Sequence, residues 1–290
     1  NLAPLKAEDM KLGGLIFLAG LIKKVLFADN LAPLADELFA HPERLDFYTA
    51  WLASTAFALQ IYFDFSGYSD MAIGLGRMFG FHYHENFNHP YVSQSITDFW
   101  RRWHMSLSGF FKDYVYIPLG GNRHHQVRNI LVVWGLTGFW HGANWNFIIW
   151  GFYFGLLLIL EKFLLVKILN ALPRFLRHLY AIFFIMLGWG IFYFTDMTQL
   201  SNFFSVLFNI APHAAIDYEL SSTVLANIYW LIFALILCTP VYNTAMQHLD
   251  RIKNKQVIGL IHIGLNIGFL LISTMLLVGQ SYNPFIYFKF

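Results

Sequence analysis

Apolar runs recur from one end of the chain to the other. Charged residues are too few to enclose a core of that size in water. The runs are "LGGLIFLAGLIKKVLFA" (12–28), "FYTAWLASTAFALQIYF" (47–63), "ILVVWGLTGFW" (130–140), "FIIWGFYFGLLLIL" (147–160), "LYAIFFIMLGWGIFYF" (179–194), "VLANIYWLIFALILC" (224–238) and "VIGLIHIGLNIGFLLISTMLLVG" (257–279). A membrane span needs roughly 20 apolar residues. The run at 47–63 and the last three read as spans, and 147–160 reaches the length with its flanks. The first run is interrupted by Lys23 and Lys24 and reads as short or tilted. The run at 130–140 is too short to cross. Only 12% of the 290 residues are charged while 57% are hydrophobic, against about 25% charged in a soluble domain. Spread over the whole length, that deficit predicts an all-α polytopic membrane protein. No repeat, low-complexity tract or linker divides it, so 1–290 reads as a single membrane-embedded domain.

The formal net charge of +2 offers no electrostatic basis for a nucleic-acid partner. A lone cysteine, Cys238, excludes an intramolecular disulfide and any multi-cysteine metal site. The first residue is Asn1 rather than Met and no signal peptide opens the chain, which predicts a longer parent protein.

Basic residues orient membrane proteins toward the cytoplasm. Segment 98–128 holds Arg101, Arg102, Lys112, Arg123 and Arg128; segment 162–177 holds Lys162, Lys167, Arg174 and Arg177; segment 250–255 holds Arg251, Lys253 and Lys255. Loop 195–223 has no Lys or Arg but has Asp196, Asp217 and Glu219. The first three segments are expected inside and the loop outside. The chain then leaves the cytoplasmic side near Asn129 and returns by Lys162, with His141 near the turning point. Twelve helical residues rise roughly 18 Å, more than half of a hydrocarbon core about 30 Å thick. An ionisable side chain at that depth is costly and usually functional. The irregular "HGAN" stretch is tolerated there only beside protein or a wet cavity, and Asn144 within it is a candidate substrate contact.

A second histidine has a different setting. Ser95 followed by Asp98 resembles a capping box. Ile96, Trp100, Trp103, Leu107 and Phe111 then fall at helical spacing on one side, with arginines beside them. That pattern predicts one amphipathic helix in the interface plane, ended by Pro118 and the "GGNR" turn. His104 lies one turn after Arg101 and shares its face, where it can face the mouth of a cavity.

Plainer readings stand beside these. His141 can be a membrane histidine bonded to a backbone carbonyl, and His104 a packing residue. "HYHENFNH" (82–89) hints at metal, but His82 and His84 lack helical ligand spacing and no cysteine assists, so no metal is expected. "DFSGYSDMAIGLG" (64–76) lacks the Gly-x-Ser-x-Gly elbow of a serine nucleophile; Gly67, Gly74, Gly76 and Gly80 instead permit close helix packing. Arg101 and Arg102 can bind lipid head groups or simply fix orientation. Two function classes fit: a transferase working across the bilayer, with His141 as general base, or a proton-coupled transporter. Transporters usually show matching halves with broken helices. None is visible here, which favours the transferase.

"QIYFDFSGYSDMAIGLGRMFGF", "ENFNHPYVSQSITDFWRRWHMSLSGFFKDYVYIPLGGNR", "GFWHGANWNFIIWG" and "PFIYFKF" together resemble the membrane-bound O-acyltransferase superfamily, closest to its bacterial alginate O-acetylation branch. The dense part of the likeness covers 60–151. The resemblance implies a helical bundle with re-entrant half-helices and an interfacial amphipathic helix, and further helices ahead of Asn1. It implies that His141, in the "WHG" motif, is catalytic and that His104, in "RWHMSLS", is the second histidine of the site, bonding the thioester carbonyl or orienting the donor. It also implies a multi-pass protein of the bacterial plasma membrane, in contact with lipid. Such a protein moves an acetyl group from a cytoplasmic thioester such as acetyl-coenzyme A, with no tightly bound cofactor. The acceptor is an extracytoplasmic polysaccharide, served by an acetyltransferase or esterase-like partner outside. Arg101, Arg102, Lys112 and Arg123 are candidates to attract the donor's phosphates. Peptidoglycan O-acetylation and teichoic-acid D-alanyl transfer are the alternatives, and they share the mechanism.

Overall fold

The computed structural model describes residues 6–210, 217–249, 251 and 255–279. The terminal "PFIYFKF" and most of the basic segment 250–255 lie outside the described residues. Within them every regular element is helical. The α-helices are α1 (Ala7–Ile22), α2 (Asp29–Ala40), α3 (Phe47–Met78), α4 (Ile96–Trp100), α5 (Met105–Phe111), α6 (Gln126–His141), α7 (Trp145–Leu160), α8 (Val166–Ala171), α9 (Arg174–Tyr193), α10 (Met197–Leu207), α11 (Tyr218–Leu237), α12 (Val241–Leu249) and α13 (Lys255–Gly279). Short π-helical stretches join α1 to α2 at Lys23–Ala28 and α7 to α8 at Glu161–Leu165 without a break, and another at Lys112–Tyr116 extends α5. Helices α9 and α11 are long and apolar enough to cross a membrane.

The described chain divides into two compact units. One comprises 6–35, 59–85 and the part from 224 onward. Here α1 and the second half of α3 touch backbone to backbone. A Cβ on Gly13 would lie 2.6 Å from the carbonyl oxygen of Gly74, and one on Gly67 would lie 2.8 Å from that of Gly20. Only glycine allows this approach, and small residues are how helices associate where no hydrophobic drive separates protein from lipid. The two lysines that seemed to interrupt the first apolar run are neutralised within the same unit. Lys24 Nζ lies 2.6 Å from Asp64 and 2.7 Å from Asp29, and Lys23 Nζ lies 2.6 Å from Asp70. Lys24, Asp29 and Asp64 are buried. The same ion pairs explain why α3 continues past Phe63 to Met78: Asp64 and Asp70 carry their charge to partners instead of ending the helix. At 32 residues it rises about 48 Å.

The other unit comprises 36–58 and the described residues between 86 and 223. Phe39, Phe57, Tyr193, Phe194 and Phe203 interlock in its core, with Phe39 4.3 Å from Tyr193 and 5.2 Å from Phe203 between ring centroids. Helices α6 and α7 form an antiparallel hairpin broken at "GAN". Each has 16 residues, or about 24 Å, less than a hydrocarbon core about 30 Å thick. The hairpin closes on glycine: a Cβ on Gly151 would overlap the carbonyl oxygen of Trp134, and one on Gly138 that of Phe147.

Two expected elements differ. Segment 195–223 is not simply a loop, because α10 lies in it. Asp196 caps that helix, accepting from the backbone N–H groups of Thr198 at 2.7 Å and Gln199 at 3.0 Å. Its apolar residues Leu200, Phe203 and Leu207 are buried. At the far end of the segment Arg44 bonds Asp217 at 2.7 Å and Glu219 at 2.8 Å, and the guanidinium holds the Asp217 carboxyl below the usual carboxylate range. The single helix expected from Ile96 to the turn at Pro118 is instead two. Ser95 caps α4 as expected, with its Oγ accepting from Asp98 N–H at 2.9 Å. The backbone then breaks, and α5 restarts after His104, whose φ is 46°. Ile96, Phe99 and Trp103 are buried within the protein.

Candidate active site

Helix α4 is held at its start by a distant carboxylate. Glu161, buried at the end of α7, accepts from Ile96 N–H at 2.5 Å, Thr97 N–H at 2.9 Å and the Thr97 hydroxyl at 2.6 Å. With Ser95 it satisfies the first N–H groups of a helix too short to be stable alone. Removing it strands buried donors, at about 1–3 kcal/mol each. Glu161→Ala is therefore expected to lower the thermal midpoint of the detergent-solubilised protein by several degrees, and Glu161→Gln, which keeps an acceptor oxygen, by less. A midpoint for Glu161→Ala equal to that of the parent would deny the role.

So fixed, α4 docks its tryptophan into the hairpin. The Trp100 ring lies 4.7 Å from Trp134, 5.5 Å from Trp150 and 4.9 Å from Phe154. Trp103 packs 4.8 Å from Trp189. His141 ends α6 inside the same aromatic wall, with ring centroids 5.1 Å from Trp150, 5.2 Å from Phe192 and 4.9 Å from Trp140. Trp140 in turn stands 6.0 Å from His104. The two histidines, 37 positions apart in the chain, thus flank one indole. Asn146, fully buried, ties α7 to the end of α9 by donating to the Phe192 carbonyl at 2.9 Å.

The left-handed backbone at His104 costs about 1–3 kcal/mol for a residue with a side chain. It is held by the segment 86–88. Asn88 N–H donates to the Arg102 carbonyl and Met105 N–H to the Asn86 carbonyl, both at 3.0 Å. The Asn86 side chain bonds Ser106 N–H, the Ser106 hydroxyl and His104 Nδ1 at 3.1, 2.9 and 3.2 Å. Desolvation pushes the His104 pKa down to about 4, so the ring is neutral at physiological pH.

The other expected site residues scatter more. Asn144 occupies the N-cap position of α7 without a capping bond and is exposed. Arg102 bonds Asp98 at 2.8 Å and the Asn88 carbonyl at 3.3 Å, so its guanidinium fixes the break before His104. Arg101 and Lys112 are exposed. In the "HYHENFNH" stretch, His82 lies 3.4 Å from Asp9, and its neighbour in importance is Asn86, which sequence reading passed over. An asparagine in a polar loop carries no periodic signal, and its partners are 18 and 20 positions away. Glu161 was missed for the same reason. Asn146 was overlooked beside Asn144, although its place in the apolar face of α7 marked it as buried.

The family described as "MBOAT, membrane-bound O-acyltransferase family" matches residues 7–205. The chain is 39% identical over 307 residues to a protein of Azotobacter vinelandii named "Probable alginate O-acetylase AlgI", covering 94% of this chain and 61% of that protein. It is 49% identical over 201 residues to the protein of the same name from Pseudomonas aeruginosa, covering 67% and 38%. It is 46% identical over 194 residues to a "Peptidoglycan O-acetyltransferase" of Helicobacter pylori, covering 65% and 37%. The chain spans no more than 61% of the length of these relatives.

Proposed function

The chain belongs to the membrane-bound O-acyltransferase family, and from that premise we propose that it carries the acyl-transfer site of a polysaccharide O-acetyltransferase. The observation that carries the reading is that His141 and His104 both stand beside Trp140, although they come from separate segments of the chain. An alcohol is a poor nucleophile at neutral pH, and an imidazole with an ordinary pKa near 6.5 can take its proton as it attacks. The acceptor hydroxyl oxygen adds to the thioester carbonyl while its proton passes to His141. The C–S bond then breaks, and the sulfur leaves as a thiolate that takes the proton back. The products are an ester and a free thiol.

The direction of transfer follows from charge. The basic segments 98–128 and 162–177 are assigned to the cytoplasm and segment 195–223 to the outside. Within one unit, Lys162 Nζ donates to Asn122 at 2.9 Å, a contact between the two basic segments that agrees with a common side. The α6–α7 hairpin is then a re-entrant pair that brings His141 to depth. Helix α4 then runs inward from Glu161 at the base of the hairpin to His104 beside Trp140 near its tip, and exposed Arg101 and Lys112 attract the phosphates of acetyl-coenzyme A. No resident cofactor is needed. The acetyl group leaves on the outer side, for an alginate-like exopolysaccharide, through an extracytoplasmic acetyltransferase or esterase-like partner. The Helicobacter relative supports peptidoglycan as the second acceptor to test.

Two measurements decide these points. Alkaline phosphatase fused after Asp217 is expected to be active and one fused after Arg174 silent; the opposite pattern inverts the scheme. In sealed, cytoplasmic-side-out vesicles carrying the full-length protein and its partner, labelled acetyl-coenzyme A added outside should deposit label on enclosed polysaccharide. Label confined to the added side would reject transfer across the bilayer.

A further inference from the structure

We propose that Asn86 is a positioning residue that holds His104 in the tautomer protonated at Nδ1, so that Nε2 is the nitrogen that accepts a proton or hydrogen bond. The proposal rests on the functional reading above for its kinetic consequence but not for its structural one. An amide carries one acceptor and one donor end, and a backbone N–H can only donate. Ser106 N–H points at Oδ1 of Asn86 at 3.1 Å. That contact settles which end of the amide faces the loop, because the flipped amide would set two donors against each other. The Ser106 hydroxyl, 2.9 Å from the same oxygen, adds a second donor. His104 Nδ1 lies 3.2 Å from Oδ1. That oxygen only accepts, and the Ser106 hydroxyl, which also lies 3.3 Å from Nδ1, has its hydrogen on the nearer Oδ1 and so offers Nδ1 a lone pair; both partners call for the hydrogen on Nδ1. In a neutral imidazole the other nitrogen then carries the lone pair.

The consequence changes what His104 can do. A neutral His104 so held cannot donate from Nε2 to a thioester carbonyl, the role expected from the resemblance. It can take a hydrogen bond from an O–H or N–H beside it. The same loop bonds that impose the left-handed backbone at His104 therefore also impose its protonation pattern. Asn86 works through His104 and touches no substrate.

The test has a spectroscopic and a kinetic arm. The full-length protein is labelled with ring-¹⁵N histidine in nanodiscs at neutral pH, and the His104 signals are assigned by their loss in His104→Gln. The expected result is a protonated Nδ1 and a bare Nε2; a protonated Nε2 overturns the proposal, whatever the activity. Asn86→Leu is expected to mix or invert the tautomers and to lower kcat by about 10-fold or more, a part of the ~10²–10⁴-fold that a positioned proton-transfer group supplies, with a smaller change in KM. Asn86→Asp keeps an acceptor oxygen for all three donors and should preserve the tautomer and most of kcat. If His104→Gln is inactive while Asn86→Leu keeps both tautomer and kcat, the positioning role falls and the transferase reading stands. If the parent protein transfers no acetyl group, that reading falls, and the ¹⁵N spectrum still decides the tautomer.

Discussion

Replacing His141 by alanine is expected to remove acyl transfer while the protein still inserts and folds. The rate should drop by about 10²–10⁴-fold, the usual contribution of a positioned general base. The side chain ends α6, so its loss interrupts no helix. What it leaves is a gap among Trp140, Trp150 and Phe192, and these large rings are fixed from three different helices. The measurement is polymer acetylation in a strain whose sole copy carries the variant, with membrane abundance followed alongside. Near-normal acetylation would remove His141 from the chemistry. His104→Ala should impair turnover as well, and an unaltered rate there would return His104 to a packing role.

Gly151→Leu should do comparable damage by another route. A Cβ at this position overlaps the carbonyl oxygen of Trp134 and lies 3.2 Å from the Cα and N of Gly138. All of these are backbone atoms and cannot rotate away. Overpacking costs about 1–3 kcal/mol where side chains can yield, and here the helices themselves must part. Trp150, next in the chain, would move off His141 with them. Gly135→Ala is the control: on the same hairpin its Cβ would meet only Phe152 at 3.4 Å, an ordinary contact, and alanine favours the helix by up to about 1 kcal/mol. We expect Gly151→Leu to yield little monodisperse protein and Gly135→Ala to match or exceed the parent in thermal midpoint. Equal yields and midpoints for both would show that the hairpin is not held by this approach.

The helical class and the break at "GAN" were legible because both depend on local composition: apolar length for the one, Gly142 and a polar pair for the other. The Ser95 cap was legible because its partner, Asp98 N–H, is three residues away. Helix α10 left a readable signal too, since Asp196 precedes Leu200, Phe203 and Leu207 at helical spacing, but the acidic ends of the segment drew attention instead. What could not be read is whatever long-range pairing decides. Periodicity carries a helix straight through His104, and contacts with Asn86 and Asn88, many positions away, hold the break. The end of α3 looked set by Asp64 because Lys24 lies 40 positions earlier. Both histidines stood out in their motifs, whereas the bond between Asn86 and His104 joins positions that no linear pattern connects.

The contact between α1 and α3 bears on how the molecule can move. Gly13 and Gly20 are seven residues apart, as are Gly67 and Gly74, and the pairs meet in antiparallel order. A shift of one helix along the other by a single turn, about 5.4 Å, would bring side-chain-bearing residues to where two backbones now touch. The next compatible alignment is a full heptad away, about 10.5 Å, and reaching it would break the ion pairs of Lys23 and Lys24. Packed helices in mobile proteins commonly shear past each other in small increments. This joint has no small increment available: it is a ratchet with one tooth engaged. Motion within this pair is therefore limited to bending or rotation, and α1 and the second half of α3 move as one beam.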